Sequence, residues 1–294
     1  MNASFRRTVI SLILTTAATL LAPGASAQPV VPDDYRVNGF AIGCQAYTFN
    51  RFTAFEAIEK TAAAGGKVIE FYPGQTLSKA DPSLKVQHDV PQVDEVIAKL
   101  QVKLKEHGLK AVNYGVVGIP KDEAGARKVF EFAKKLGMVA VTTESADAIN
   151  TIEKLAVEFD LGVAFHNHPG DYKNPNYKVW SPHYIAGLVE GRDKRLGACA
   201  DTGHWTRSGI KPVEALRILK GRIISSHLKD LNEFGVRDAH DVPYGQGKSD
   251  LKAVLDEFKA QGFKGNISIE YEYNWDNSVP EVTQCIDFVR AYGK

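Results

Sequence analysis

Residues 196–232 read LGACADTGHWTRSGIKPVEALRILKGRIISSHLKDLN, a strand, a turn, a helix and a second strand in succession. Ala198, Cys199 and Ala200 form a short apolar run without strong alternation, as in a strand covered on both faces, and lead directly into Asp201. Pro212 suits the first turn of a helix, and Val213, Ala215, Leu216 and Leu219 then form an apolar stripe ending near Gly221. Ile223 and Ile224 open the second strand, which reaches His227, Lys229 and Asp230. A βαβ unit of this kind has parallel strands and a right-handed crossover. Asp201 and His227 therefore share the carboxyl edge of the sheet, where such sheets bind their ligands.

The same alternation extends in both directions. Strands are predicted at residues 40–47, 68–72, 110–117, 138–143, 163–168 and 266–270, with helices at 53–64, 90–107, 123–136, 147–160, 182–190, 250–261 and 279–292. The long helix at 90–107 carries Val93, Val96, Ile97, Leu100 and Leu104 on one side. The loop from 170 to 182 holds Tyr172, Tyr177 and Trp180, expected to wall the site, and the polar insert at 233–248 holds His240 and Asp241, expected as part of a lid. Eight strands alternating with eight helices make a closed (β/α)8 barrel in one domain. An open doubly wound sheet is the runner-up. It would leave two uncovered edges and has no reason to stop at eight repeats.

Lys and Arg number 36 against 35 Asp and Glu, and 44% of the residues are hydrophobic, so one substantial core is expected. Nothing in that balance calls for nucleic acid or an anionic surface. Arg6 and Arg7, an apolar run from Val9 to Ala22 and the small residues Ala25, Ser26 and Ala27 together predict a cleaved export signal over residues 1–27. The arginine pair is a loose match to twin-arginine export, and the run is short for a membrane span. Its removal leaves 34 basic against 35 acidic residues, a short extension at 28–39 and the barrel at 40–294. The mature chain is then expected to be periplasmic or secreted, with no stable membrane insertion. Cys44, Cys199 and Cys285 each lie in apolar runs, which suits buried thiols better than a disulfide framework, although one pair is able to bridge in an oxidising compartment.

Strand side chains alternate with period two, which proposes an inward set. It comprises Val68 and Glu70, Ala140, Thr142 and Glu144, Ala164, His166 and His168, Cys199 and Asp201, Ser225, His227 and Lys229, and Ser268 and Glu270. Carboxylates gathered at one barrel end repel unless a proton or a cation neutralises them. A divalent metal held by Glu144, Asp201, His227 and Glu270 resolves this, with His166 or His168 as the alternative to Glu144. Three oxygens and one nitrogen favour Mn²⁺, with Mg²⁺, Co²⁺ or Zn²⁺ acceptable. His204 is expected to face the substrate, Lys229 either to stabilise oxyanion charge or to pair with a ring acid, and Glu70 to bind sugar hydroxyls. Glu272 is expected to support a metal ligand, His166, His168 and His240 to touch the substrate, and Trp205, Trp180, Tyr271 and Trp275 to offer faces for a sugar ring.

Residues 40–292 resemble the xylose-isomerase-like TIM-barrel superfamily, in the branch of sugar phosphate isomerases and epimerases. The resemblance rests on VAFHNHPGDY at 163–172, CADTGHWTRSG at 199–209, SSHLKDLN at 225–232, HDVPYGQG at 240–247 and SIEYEYNWDNS at 268–278. It implies a divalent metal on strand-end Glu, Asp, His and Glu, placed here on Glu144, Asp201, His227 and Glu270. The branch is similar to sugar epimerases, inosose dehydratases and lyases of 3-keto-glycosides. Many of those epimerases carry a glutamate in the fifth-strand motif where this chain has His166-Asn167-His168, a departure toward a dehydratase-like or lyase-like site.

The chemistry common to these activities is proton removal next to a carbonyl, with a metal-stabilised ene-diolate. Glu144 or Glu270 is expected to take the proton, and the opposite glutamate or His168 to return it or protonate a departing oxygen. His204 and Lys229 complete the expected catalytic group. The leading expectation is an isomerase or epimerase of an unphosphorylated sugar. A lyase or dehydratase of a keto-sugar or keto-glycoside comes second, and a noncatalytic sugar-binding protein third. The partner is a small carbohydrate rather than nucleic acid, and the helix faces leave a homodimer open.

Overall fold

The barrel closes. Its strands are β1 (Ala41–Gln45), β2 (Val68–Phe71), β3 (Lys110–Tyr114), β4 (Ala140–Thr143), β5 (Gly162–His166), β6 (Leu196–Asp201), β7 (Ile223–Leu228) and β8 (Asn266–Ile269). Each is parallel to its sequence neighbour, and β1 pairs with β8 from Ala41↔Asn266 to Cys44↔Ile269, so the barrel has no free edge and the open-sheet alternative falls. This computed structural model describes residue 28, residues 30–171 and residues 173–294. The expected export signal at 1–27 and Tyr172 of the expected aromatic wall lie outside the described residues.

Helices α1 (Ala54–Ala63), α2 (Val93–His107), α3 (Glu123–Lys135), α4 (Ile149–Phe159) and α5 (Pro182–Leu188) follow the first five strands. Their starts have local causes. Thr53 and Glu56 form a reciprocal capping box on α1, and Ser181 caps α5 ahead of Pro182. α2 stops where Gly108 takes a left-handed conformation, and it turns Val96, Ile97, Leu100 and Leu104 into the core. Beyond β6 come α6 (Thr202–Arg207) and α7 (Pro212–Ile218), and β8 lies between α8 (Leu251–Ala260) and α9 (Val279–Ala291).

Alternation along the strands sorts side chains into two environments. Ile267 and Ile269 join the large apolar layer between sheet and helices, whereas Ser268 turns to the axis and donates to Glu70 Oε2. At the amino end of the barrel Val31 packs with Ala41, Val68 and Val112, so the preceding extension plugs that end. A neighbouring layer is Ala140, Ala164, Cys199 and Ile224. Polarity rises from there to the carboxyl end, which is where the chemistry collects. All three cysteines are free and buried.

Two segments depart from the sequence reading. Residues 202–207 form a short helix rather than a turn, because the Asp201 carboxylate caps it by accepting the His204 N–H. The insert after β7 is partly ordered as an antiparallel ribbon of Asp230–Leu231 with Asp241–Val242. Asp230 fixes the loop that follows by accepting the backbone N–H groups of Gly245, Gly247 and Ser249.

Candidate active site

β4, β5, β6, β7 and β8 each end at or just before a charged or imidazole side chain. Asp201 Oδ2 lies 3.5 Å from His166 Nε2, 3.6 Å from His204 Nε2 and 4.0 Å from His227 Nδ1. Glu270 Oε2 lies 3.3 Å from His227 Nδ1. His166, Asp201, His204 and Glu270 each present a donor atom within 4.8 Å of the others, a possible metal-binding site.

The residues fit a cation on independent grounds. His166 Nε2 and both ring nitrogens of His227 are buried without a hydrogen-bond partner, and Asp201 Oδ2 makes no hydrogen bond although the Lys229 ammonium faces it at 3.2 Å. The outer nitrogen of one of these imidazoles is hydrogen-bonded to a carboxylate, and that of the other lies close to one. Glu144 Oε1 takes the Nδ1 of His166 at 3.0 Å, and Glu70 Oε2 lies 3.1 Å from the Nε2 of His227. Carboxylate–histidine pairs of this kind orient a ligand nitrogen toward a metal. His204 lies between two permanent donors, with Arg207 Nη1 3.1 Å from its Nδ1 and Lys229 Nζ 3.4 Å from its Nε2, and a neutral ring accepts from one of them. Around Asp201 and Glu270 the nitrogen donors are those of His166 and His204, with His227 Nδ1 beside both carboxylates.

This arrangement alters the ring expected from the sequence. Glu144 stands one step past the end of β4 and reaches His166 and His168, not Asp201, so His166 takes its place beside the aspartate. Burial alone would raise the Glu144 carboxyl, but hydrogen bonds from His166 and His168 hold it at about 2. Burial likewise disfavours charge on His166, yet Asp201 and Glu144 on either side raise it to about 9. His168 Nδ1 is 2.5 Å from Glu144 Oε1, and Tyr177 links the two by donating to Glu144 at 3.1 Å while accepting the His168 N–H at 2.8 Å.

Lys229 is 1% exposed, with Nζ 3.2 Å from Asp201 Oδ2, 2.8 Å from Glu270 Oε2 and 2.8 Å from Glu272 Oε2. Of its two expected roles, pairing with the ring acids is the one present. Burial opposes its charge, but Asp201, Glu270 and Glu272 raise the ammonium well above its usual range. Its stem lies along α6 at Gly203, where an added Cβ would meet Lys229 Cβ at 2.6 Å. Arg207 joins Glu272 at 3.2 Å and Asp241 at 3.5 Å; sequence reasoning overlooked it, although its position three after His204 puts both on one face of α6.

A cavity of about 290 Å³ opens over these groups, lined by Gln45, Tyr47, Tyr72, Pro73, Val116, His166, His168, Glu270 and Glu272. One wall is ionic and imidazole, the other apolar. Tyr47 packs edge-on against Tyr72 at 5.2 Å and Trp275 at 6.0 Å, an aromatic rim in which only Trp275 was expected. Of the expected substrate contacts, His166 and His168 line the cavity, and Glu70, His204, Trp205, Lys229 and His240 do not. Glu70 is fully buried behind His227, out of reach of a sugar hydroxyl. Trp205 is buried with its N–H donating to the Trp180 carbonyl, so its faces belong to the core. His240 stacks on Tyr273 at 4.5 Å, away from the cavity lining.

A sequence profile of the xylose isomerase-like TIM barrel family matches residues 58–292. Among curated proteins, the rhizopine catabolism protein MocC of Rhizobium meliloti is 23% identical over 236 residues, 75% of this chain and 70% of that protein. The inosose dehydratase of Clostridium tetani is 31% identical over 143 residues, which is 43% of this chain and 46% of the enzyme, so less than half its length is spanned. An uncharacterised protein from Parabacteroides distasonis of known structure is 32% identical, with a TM-score of 0.68 over 86% of this chain and 98% of that one. A D-tagatose 3-epimerase-like protein superposes with a TM-score of 0.65 over 85% and 96% of the two chains at 18% identity, a likeness of fold. On the extent of the profile match and the closed barrel that it covers, the chain belongs to the xylose isomerase-like TIM barrel family.

Proposed function

We propose that the protein is a divalent-metal-dependent lyase or dehydratase of an unphosphorylated keto-sugar or keto-polyol, exported from the cytoplasm by residues 1–27, which are then cleaved. The observation that carries this reading is the unlike pair of groups on the cavity lining: a carboxylate, Glu270, and the Glu144-backed imidazole of His168. His166, Asp201, His227 and Glu270 would hold the metal, with Mn²⁺ favoured. When bound, it supplies Lewis-acid stabilisation of negative charge on a substrate carbonyl.

The chain's own groups divide the remaining work. Glu270 takes the proton from the carbon next to the carbonyl, and those electrons form the carbon–carbon double bond as the β-carbon–oxygen bond breaks. His168, held through Nδ1 by Glu144, gives its Nε2 proton to the departing oxygen, which leaves as water or an alcohol. Lys229 and His204 stand behind the lining, where the ammonium balances the charge of Asp201, Glu270 and Glu272. The apolar side lined by Tyr47 and Tyr72 packs on the substrate's less polar face and keeps water away. The partial match to inosose dehydratases supports elimination over reprotonation.

Epimerisation is the second reading, favoured by a specific feature: Glu272 also lines the cavity and gives a second carboxylate. Incubating the Mn²⁺-loaded protein with keto-sugars and keto-inositols in D₂O separates the two by NMR. An unsaturated product or a released alcohol is expected. Deuterium in an intact epimer would favour the second reading, and neither signal with any such substrate would contradict both.

A further inference from the structure

We propose that Lys229 is a built-in counter-cation that competes with the metal for Asp201 and Glu270, and that Glu272 is the carboxylate to which it withdraws when metal binds. The inference rests on the metal-dependent reading above and goes beyond it in assigning a switch of partners to this chain's own lysine. The ammonium contacts Asp201 Oδ2 at 3.2 Å and Glu270 Oε2 at 2.8 Å, the same oxygens that border His166 Nε2 and His227 Nδ1. One set of lone pairs cannot serve a divalent cation and an ammonium at full strength, and the two cations repel across so short a distance. Expulsion of the lysine to solvent is blocked by its burial and by the seating of its stem against Gly203. Glu272 supplies the alternative: its Oε2 already lies 2.8 Å from Nζ, on the cavity side, and is steadied by Arg207 at 3.2 Å. The lysine therefore shields the acids in the metal-free protein and moves a short way when they are engaged. His204 Nε2, 3.4 Å from Nζ, is a further hydrogen-bond partner, but it brings no carboxylate charge to rival that of Glu272.

The test measures Mn²⁺ affinity at one fixed pH, from the spectroscopic signal of free Mn²⁺, for the full protein and for K229M, E272Q and the double variant. Removing the competitor should tighten binding by about tenfold or more in K229M. Removing the retreat should weaken it by several-fold in E272Q, and most of that weakening should vanish in the K229M background. A lysine that serves only as structural support predicts the reverse: K229M binds Mn²⁺ no better or worse, and E272Q has the same effect with or without the lysine. Either result overturns the proposal. Should K229M fail to fold, E272Q decides alone, because unchanged or tighter binding there removes the retreat. Failure of the unaltered protein to bind Mn²⁺, Mg²⁺, Co²⁺ or Zn²⁺ is a different result, which overturns the metal-dependent reading and this inference with it.

Discussion

His166 is the residue around which the local chemistry turns, because both of its nitrogens face carboxylates, Glu144 at 3.0 Å and Asp201 at 3.5 Å. If Glu144 acts by aiming His166, then E144Q should lower Mn²⁺ affinity by about 10- to 100-fold while the thermal midpoint of the metal-free protein changes little. Titration with Mn²⁺ checks this, and an unchanged affinity would detach Glu144 from the site. Gly203 is a second sensitive position. A methyl group there meets the Lys229 stem, so G203A should cost about 1–3 kcal/mol in chemical denaturation; a stability equal to that of the unaltered protein would show that the stem has room to shift. At this scale the sequence was informative where a residue sits on a strand or immediately after it. Asp201, His227 and Glu270 could be placed by counting faces. The exchange of Glu144 for His166 could not, since β4 ends at Thr143 and the direction of the next side chain depends on the Ser145–Thr143 turn.

At the scale of elements, the ribbon of Asp230–Leu231 with Asp241–Val242 ties the insert to α6 through Arg207. Its Asp241 carboxyl is pushed up to about 7, because burial outweighs the attraction of Lys229 and Arg207. The ordinary value of 3.8 holds in the unfolded chain, so between the two the folded state binds more protons. The stability from this group is full below the unfolded value and is lost as pH rises through about 7. Melting temperatures measured from pH 5 to pH 8.5 should fall less steeply for D241N than for the unaltered protein. Parallel curves would mean that the carboxylate is compensated by other groups. The ribbon and α6 were hidden from the sequence for a physical reason. Each is too short to show periodicity, and each is held by side-chain to backbone bonds from Asp230 and Asp201 rather than by an apolar face.

The whole molecule was the most legible level. Eight alternations of apolar strand and amphipathic helix leave closure as the arrangement without exposed edges, and the boundaries moved by only a few residues, chiefly where strands give way to loops or short helices. The aromatic rim of Tyr47 and Tyr72 was not legible, because each stands just past the end of its strand, β1 or β2, where alternation no longer sets the side chain's direction. A site built from so many buried acids and imidazoles couples metal binding to the stability of the entire barrel. Mn²⁺ at 100 times its dissociation constant should stabilise the fold by about 2.7 kcal/mol, reversibly with a chelator, and a melting temperature indifferent to Mn²⁺ would speak against a resident metal. The most direct measurement is an anomalous-scattering map of crystals grown with Mn²⁺. The account predicts one strong peak bounded by His166 Nε2, Asp201 Oδ2, His227 Nδ1 and the Glu270 carboxylate; a peak held instead by Glu144, His166 and His168, or none at the barrel mouth, would contradict it.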